Sequence, residues 1–443
     1  MILSSWCLTE YNTTIRMSTI CAISTAKGGA IGIIRTSGPD AISITDRIFR
    51  NTKGRHLSEA KPYSLVYGNI IDGNEVIDEV LVSVFLGPNS YTGEDSTEIS
   101  CHGSAYILNK VVELLLKNGC EMARPGEFTQ RAFLNGKMDL SQAEAVADLI
   151  ASQNRATHRI AMQQMRGGYS TKLQNLRDQL LEMTSLLELE LDFSEEDVEF
   201  ADREKLIRLA EDIQSEIAHL THSFRLGNAI KNGVPVAIIG APNVGKSTLL
   251  NALLNEDKAI VSEIQGTTRD LIEDTVTIGD VTFRFIDTAG IRHTDDTIEK
   301  LGIERSRKAA EKAQIIILMA EPGVDFPDID IQSDQTVIRI INKTDEFQAL
   351  NGIGLKQLEQ QLIEAVPTEL TDDILVTNLR HYEALSLAHE DITRSLEALN
   401  MNLSGDLVSE DLRQCLSHLG EILGNITSNE VLGNIFKNFC IGK

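Results

Sequence analysis

Gly240-Ala241-Pro242-Asn243-Val244-Gly245-Lys246-Ser247 follows the β-rich run Val236–Ile239 and opens the helix-like stretch Thr248–Leu254. Strand, GxxxxGK[ST] and helix in that order predict an α/β domain built around a phosphate-binding loop. Glycine at 240 and 245 lets backbone N–H groups turn inward around an anion, and the helix N-terminus adds its partial positive charge. Lys246 supplies a point charge for terminal phosphates and Ser247 a hydroxyl for magnesium.

Three further signals lie downstream in order. Gly266-Thr267-Thr268-Arg269-Asp270 places a threonine where a loop can close on magnesium. Asp287-Thr288-Ala289-Gly290 follows the strand Phe283–Ile286, setting a carboxylate at a strand end near the metal and a glycine N–H near the γ-phosphate. Asn342-Lys343-Thr344-Asp345 follows the strand Val337–Ile341. An aspartate there can accept from both N1–H and the 2-amino group of guanine, a pair that adenine does not offer. Together these specify a GTPase. Ile291 stands where Ras-type enzymes carry the glutamine that orients water, so something else must position it. Asn243 offers a side-chain oxygen beside the phosphates, either for a monovalent cation or for a loop-stabilising hydrogen bond.

Around this core the texture changes. Residues from about 18 to 135 mix strand-like runs (Ile31–Ile34, Val80–Leu86) with Gly/Pro/Asn turns and one amphipathic helix, Ala105–Leu116. Helical periodicity follows in Leu173, Leu176, Leu180, Met183 and Leu187, then in Leu206, Leu209, Ile213, Ile217 and Leu220. It returns in Leu412, Leu416, Leu419, Leu423 and Ile426. Each row lies along one helix face that must be buried, and the bland reading as bundle core is preferred. Helices on both sides of the middle segment predict one bundle interrupted by an insertion. The expected fold is multi-domain α/β plus α, with an inserted Ras-like P-loop domain on a doubly wound, mostly parallel sheet. The boundaries expected are 18–136, 137–232, 233–375 and 376–443. Residues 1–17 form a disordered extension or a misassigned start, with Met17 as the preferred initiator.

The 443 residues carry 41 Lys+Arg against 65 Asp+Glu, a formal charge of −24. Such acidity argues against wrapping nucleic acid by bulk charge, though not against a local RNA contact. Half of it lies in 233–375, with 13 basic against 25 acidic residues, while 1–135 has 12 against 14. No apolar run reaches the ~18–20 residues of a membrane span. The six cysteines lack CxxC or Cys/His ligand spacing, which argues against structural zinc and a secreted disulfide scaffold and suggests a reducing cytosol.

From residue 18 onward the chain resembles the MnmE (TrmE) family of tRNA-modification GTPases. The resemblance rests on the GTPase motifs set in helical sequence and on Gly87-Pro88-Asn89-Ser90-Tyr91-Thr92-Gly93-Glu94-Asp95. It rests equally on the run from Arg124-Pro125-Gly126-Glu127-Phe128 to Lys137-Met138-Asp139-Leu140, and on the tail Phe439-Cys440-Ile441-Gly442-Lys443. It implies an N-terminal α+β folate-binding and dimerisation domain in which Arg35, Glu98, Lys137 and Lys443 contact a tetrahydrofolate derivative in its 5,10-methylene or 5-formyl form. It implies GTP bound by Asn243, Val244, Gly245, Lys246, Ser247, Thr248, Ser262, Glu263, Ile264, Gln265, Gly266, Thr267 and Thr268, with Asp287, Thr288, Ala289, Gly290, Asn342, Lys343 and Asp345. Ser247 and Thr268 would hold Mg2+, while Asn243, Ser262, Ile264 and Thr267 would hold K+. Glu299 would position the catalytic water beside Lys246, and Cys440 is a candidate for the chemistry at the folate pocket or for packing.

The implied activity is a potassium-dependent GTPase acting as a homodimer in the bacterial cytoplasm with an FAD-containing MnmG-type partner. It would place an aminomethyl or carboxymethylaminomethyl group on C5 of the wobble uridine of certain tRNAs. FAD belongs to the partner, since no dinucleotide GxGxxG fingerprint is present here. One departure concerns the strand that follows Asp345 in the family: Glu346–Gly354 runs almost directly into the helix-like Leu355–Val366. The alternatives are an Era/EngA-like ribosome-assembly or regulatory GTPase, and a folate-binding scaffold with a decayed GTPase. Cys440 is no prenylation signal, because Gly442 is not aliphatic.

Overall fold

The computed structural model describes residues 18–26, 28–192, 203–256, 274–279, 281–286, 307–332, 335–366, 374–426, 428–437 and 439–442. The described chain divides into two compact units, one of 1–150, 164–174 and 420–443, the other of 151–163 and 175–419.

In the first unit seven strands form one sheet: β1 (Ile20–Ile23), β2 (Ile31–Ser37), β3 (Phe49–Asn51), β4 (Ser64–Asp72), β5 (Glu75–Phe85), β6 (Ser96–His102) and β7 (Glu121–Met122). Their order is β3-β4-β5-β6-β2-β1-β7, antiparallel except for β1 with β7. The expected strands at 31–34 and 80–86 are β2 and β5. Strand alternation sends Ile34, Val80, Val82, Val84 and Ile99 into a core covered by α1 (Ala41–Ile48) and α2 (Ala105–Lys117), the latter matching the expected amphipathic helix. The opposite parity puts Arg35, Glu98, Leu81 and Tyr67 on the other face. A short helix α3 (Glu127–Leu134) follows the Arg124-Pro125-Gly126 turn, and α4 (Leu140–Ala151) comes after it.

The second unit contains a five-stranded sheet of β8 (Val234–Gly240), β9 (Asp274–Ile278), β10 (Val281–Phe285), β11 (Ile315–Ala320) and β12 (Thr336–Ile341). The order is β12-β11-β8-β10-β9, and only β9 runs antiparallel to its neighbour. This is the doubly wound arrangement expected from the motifs. β11 is apolar throughout and buried throughout, as a central parallel strand must be. The helix α8 (Lys246–Glu256) returns from β8 and buries Leu249, Leu250 and Leu253. Among the described residues β12 is one edge of the sheet, β9 the other. Between β12 and α9 (Leu355–Glu364) there is only a 3-10 turn, Ala349–Asn351, and a single bridge between Gln348 and Ile353. The shortened segment seen in the sequence is thus a tight turn and not a strand.

Longer helices carry the leucine stripes: α5 (Arg155–Met165), α6 (Gly168–Asp192), α7 (Arg203–Asn232), α10 (Leu379–Asn400), α11 (Gly405–Leu423) and α12 (Asn429–Lys437). Leu173, Leu176, Leu180, Met183 and Leu187 are all buried, as are Leu206, Ile213, Ile217 and Leu220, while Leu209 is half-buried. The third stripe needs correction. α11 ends at Leu423, so Ile426 lies beyond it and is 51% exposed. Its buried row is Val408, Leu412, Cys415, Leu419 and Ile422, with Leu416 only half-buried.

Candidate functional site

The phosphate loop connects β8 to α8 as its motif requires. Asn243 and Gly245 adopt positive φ, 61° and 103°, so the backbone doubles back between strand and helix. Asparagine tolerates this region better than most residues, which gives one physical reason for its presence. The Asn243 side chain is exposed and makes no hydrogen bond among the described residues, so the loop-bracing reading finds no support. A Cβ on Gly245 would lie 2.4 Å from Asn342 Nδ2, which excludes any larger residue there.

Lys246 Nζ donates to the carbonyl oxygens of Gly240 at 2.7 Å and Ala241 at 2.9 Å. Burial lowers the Lys246 pKa below its ordinary value. Among the described residues this partly buried ammonium is held by neutral carbonyls alone, an arrangement suited to an anionic phosphate. Asn342 is 4% exposed and clasps two loops: Nδ2 donates to Val244 O at 2.7 Å, and Oδ1 accepts from Ala349 N–H at 3.1 Å. One of its N–H donors and its carbonyl oxygen are thus committed to the protein, so the amide shapes the pocket. Lys343, at φ 65°, donates to Asn243 O at 3.4 Å and pairs with Glu321. Asp345 is exposed, and its carboxylate has no partner among the described residues.

Ser247 and Thr248 open α8 directly after the loop. Ser262, Glu263, Ile264, Gln265, Gly266, Thr267, Thr268, Asp287, Thr288, Ala289, Gly290, Glu299 and Lys443 lie outside the described residues.

A second constellation occupies the open face of the seven-stranded sheet. Arg35 and Glu98 are direct cross-strand partners of β2 and β6. Arg35 Nε and a terminal nitrogen both reach Glu98 Oε1, at 2.9 and 2.7 Å, leaving Oε2 uncommitted among the described residues. The guanidinium also sits over two rings, 5.4 Å from the Tyr91 centroid and 5.6 Å from that of Phe128. Tyr91 Oη pairs with Thr129 Oγ1 at 2.9 Å, tying its loop to α3. Lys137 Nζ donates to Pro88 O at 3.0 Å, and Asn135 Nδ2 to Thr92 O at 2.7 Å, so two motifs distant in sequence form one rim.

The C-terminal tail reaches the same unit. Gly126 N–H donates to Cys440 O at 3.4 Å, and Ser24 Oγ donates to Gly442 O at 3.2 Å. Gly442 has φ 93°, and a Cβ there would stand 2.6 Å from Ile23 O. The Cys440 residue is exposed. The tail is therefore seated on the end of β1 and the start of α3, whose Phe128 lies beneath Arg35.

The sequence reading missed what supports this rim. Arg131 is 1% exposed and lies between Glu127 Oε1 at 2.9 Å and Glu94 Oε2 at 3.2 Å, while also donating to Ser18 O at 2.9 Å. Glu94 in turn accepts from Ser37 Oγ at 2.7 Å. This buried charge cluster fixes the Tyr91 loop against α3. The Glu127–Arg131 spacing of four on a helix was its only local signal. Tyr91 and Phe128 were within recognised motifs, but nothing in the sequence placed them on Arg35.

Comparison with known proteins agrees with this architecture. The family model described as GTP-binding protein TrmE N-terminus matches residues 19–137, and that described as MnmE helical domain matches residues 140–440. A protein of Bacteroides fragilis (strain YCH46) called tRNA modification GTPase MnmE is 56% identical, the match covering 97% of this chain and 100% of that protein. Its namesake in Bacteroides thetaiotaomicron is 56% identical over the same shares, and that of Christiangramia forsetii 49% identical over 96% of this chain and 99% of its own. Among solved structures, the cytosolic domain of the T. maritima FeoB iron transporter aligns at 15% identity over 43% of this chain and 98% of its own, with a TM-score of 0.21 too low to bear on the fold. With both of its family models matched in sequence order and relatives aligned end to end, the chain belongs to the MnmE (TrmE) family, whose named members are tRNA modification GTPases.

Proposed function

We propose that this protein is a potassium-dependent GTPase that, with an FAD-containing MnmG-type flavoprotein, installs an aminomethyl or carboxymethylaminomethyl group on C5 of the wobble uridine of certain tRNAs. A tetrahydrofolate derivative would donate the carbon. The observation that carries this reading is the pairing, in one chain, of a phosphate loop clasped by Asn342 with the Arg35–Glu98 constellation.

Lys246 offers an ammonium to the β/γ-phosphates, and Ser247 with Thr268 would hold Mg2+, which when bound neutralises charge developing on the transferred phosphoryl group. Asn243, Ser262, Ile264 and Thr267 would hold K+ in place of an arginine finger, and the uncommitted Asn243 side chain suits that part. Glu299 would orient the attacking water where Ile291 cannot. In the folate pocket, Glu98 Oε2 is the free acceptor for a pterin's amino face. Arg35, Lys137 and Lys443 supply positive charge for the ligand's glutamate tail. The docked tail supports a place for Cys440 beside that pocket.

Homodimerisation is supported by the open sheet face, where Leu65 and Tyr67 on β4 and Leu81 on β5 are 67%, 48% and 42% exposed. Tyr67 and Leu81 face each other directly across the strands. Contiguous apolar surface of this kind marks an interface, and a second copy is the proposed occupant. No described helix is long and apolar enough to cross a membrane.

Mass spectrometry of wobble nucleosides in tRNA from cells lacking this protein tests the reading. The expected outcome is loss of the C5-modified uridine, and an unchanged nucleoside profile refutes it. Turnover of GTP faster in potassium than in sodium is expected as well; equal rates would contradict the role given to Asn243.

A further inference from the structure

We propose that the outer face of α5, carried by Arg155, His158 and Arg159, is a contact surface for the phosphate backbone of RNA. The proposal rests on the tRNA reading above and assigns it a place on this acidic chain.

Of the long windows without any carboxylate in the sequence, one is strongly basic. Between Asp148 and Asp178 stand Arg155, Arg159, Arg166, Lys172 and Arg177, together with His158, and no Asp or Glu. In a chain of net charge −24 this is an island of opposite sign. The net negative charge of the chain repels a polyanion, so a local basic surface is where such a partner would be drawn.

The structure decides which of these charges are presented together. At about 100° per residue, Arg155, His158 and Arg159 fall within one ~100° sector of α5, with the two arginines ~6 Å apart along the axis. All three are exposed. The inner side holds Ala156, Ile160 and Ala161, which are 7%, 8% and 2% exposed, so the helix cannot rotate to hide its charges. Ala156 and Ile160 pack with Ile230 and Leu375. The helix start is also fixed. Asn154 Oδ1 accepts from Thr157 N–H at 2.8 Å as an N-cap, and Asn154 Nδ2 donates to Thr282 Oγ1 at 3.0 Å.

Arg155 makes no hydrogen bond or ion pair among the described residues, so its fork is not spent on the protein itself. Arginine in this setting favours phosphate, whose oxygens match the planar guanidinium better than a point-charge ammonium would. The helix N-terminus beside Arg155 adds the same sign of partial charge. A rigid, pre-ordered row of cations loses little entropy on meeting an extended polyanion.

The test uses the full chain assembled with its flavoprotein partner and an unmodified tRNA transcript bearing uridine at the wobble position. Affinity is measured across a salt series for wild type, for R155Q/R159Q and for R155K/R159K. Two lost phosphate contacts should make the log–log salt dependence shallower by roughly 1.4 to 1.8, at about 0.7 to 0.9 per contact. The lysine variant should recover most of the slope. Thermal melts by circular dichroism confirm folding, and size-exclusion chromatography reports assembly with the flavoprotein. An unchanged slope in the folded glutamine variant overturns the proposal while leaving the tRNA reading intact. Loss of flavoprotein assembly instead of RNA affinity also overturns it, making α5 a protein-docking face. If the wild-type assembly itself fails to bind tRNA, the functional reading falls first.

Discussion

Asn342 holds Val244: its Nδ2 donates to the Val244 carbonyl at 2.7 Å from across the GTPase unit, while its Oδ1 accepts from Ala349 N–H at 3.1 Å. One buried amide thereby couples the phosphate loop, the end of β12 and the shortened turn after Asp345. Asn342→Ala strands a buried carbonyl and a buried N–H, at about 1–3 kcal/mol for each group left unsatisfied. The urea midpoint should fall accordingly, and nucleotide affinity should fall with it. A stable variant with wild-type affinity would show that the clasp does not shape the pocket.

The short turn that follows Asp345 also predicts nucleotide affinity. In the proposed reading Asp345, exposed in the structure, is the side chain that would read the base, while Asn342 is bonded to Val244 and Ala349. Guanine nucleotides should bind more weakly here than to a relative that keeps the strand. Isothermal titration of GDP against both proteins measures this, and equal affinities would dispose of the idea.

Arg35 and Glu98 should act as a pair in folate binding. Removing the carboxylate with Glu98→Ala takes away a charge-assisted hydrogen bond and releases the guanidinium from its position over Tyr91 and Phe128. Binding of 5-formyl-tetrahydrofolate should weaken roughly tenfold or more, the equivalent of about 1.5 kcal/mol. Fluorescence titration reports the change, and undiminished binding would remove Glu98 from the pocket.

Gly442→Ala should loosen the tail. Alanine at φ 93° costs about 1–2 kcal/mol for the left-handed backbone alone, and its Cβ would lie 2.6 Å from Ile23 O. Faster amide exchange at the Gly126 N–H that binds Cys440 is the expected signature, because that bond forms only while the tail is docked. Exchange at the wild-type rate would mean that the tail tolerates the methyl group.

Asp391 on α10 predicts a pH effect on stability. Its side chain is 5% exposed, and burial raises its pKa above the ordinary 3.8 despite Arg394 on its own helix and His418 facing it from α11, where Asp411 and Cys415 also lie. The folded carboxyl therefore binds its proton more tightly than the unfolded one, so stability falls as pH rises from about 4 through the folded pKa. In Asp391→Asn that component of the slope is absent. As pH rises above about 4, urea midpoints should decline more steeply in the wild type, and parallel profiles would refute the assignment.

Local sequence determined much of this protein. The phosphate loop needed only a strand, two glycines and a helix start, and the structure places them in that order from Val234 to Glu256. The stripes of α6 and α7 were legible because a helix repeats its buried face every three to four residues. The stripe of α11 drifted, since periodicity does not announce where a helix stops, and Ile426 was counted one turn too far. What the sequence could not supply were pairings between distant residues, which depend on strand register and on loops meeting across a fold. The register of β2 with β6 joins Arg35 to Glu98, and the fold of α3 against the Tyr91 loop buries Arg131 between two glutamates. Only tertiary structure brings the tail's Gly442 onto Ile23 and commits Asn342 to Val244, because each contact is a matter of a few ångströms between chain segments far apart in sequence.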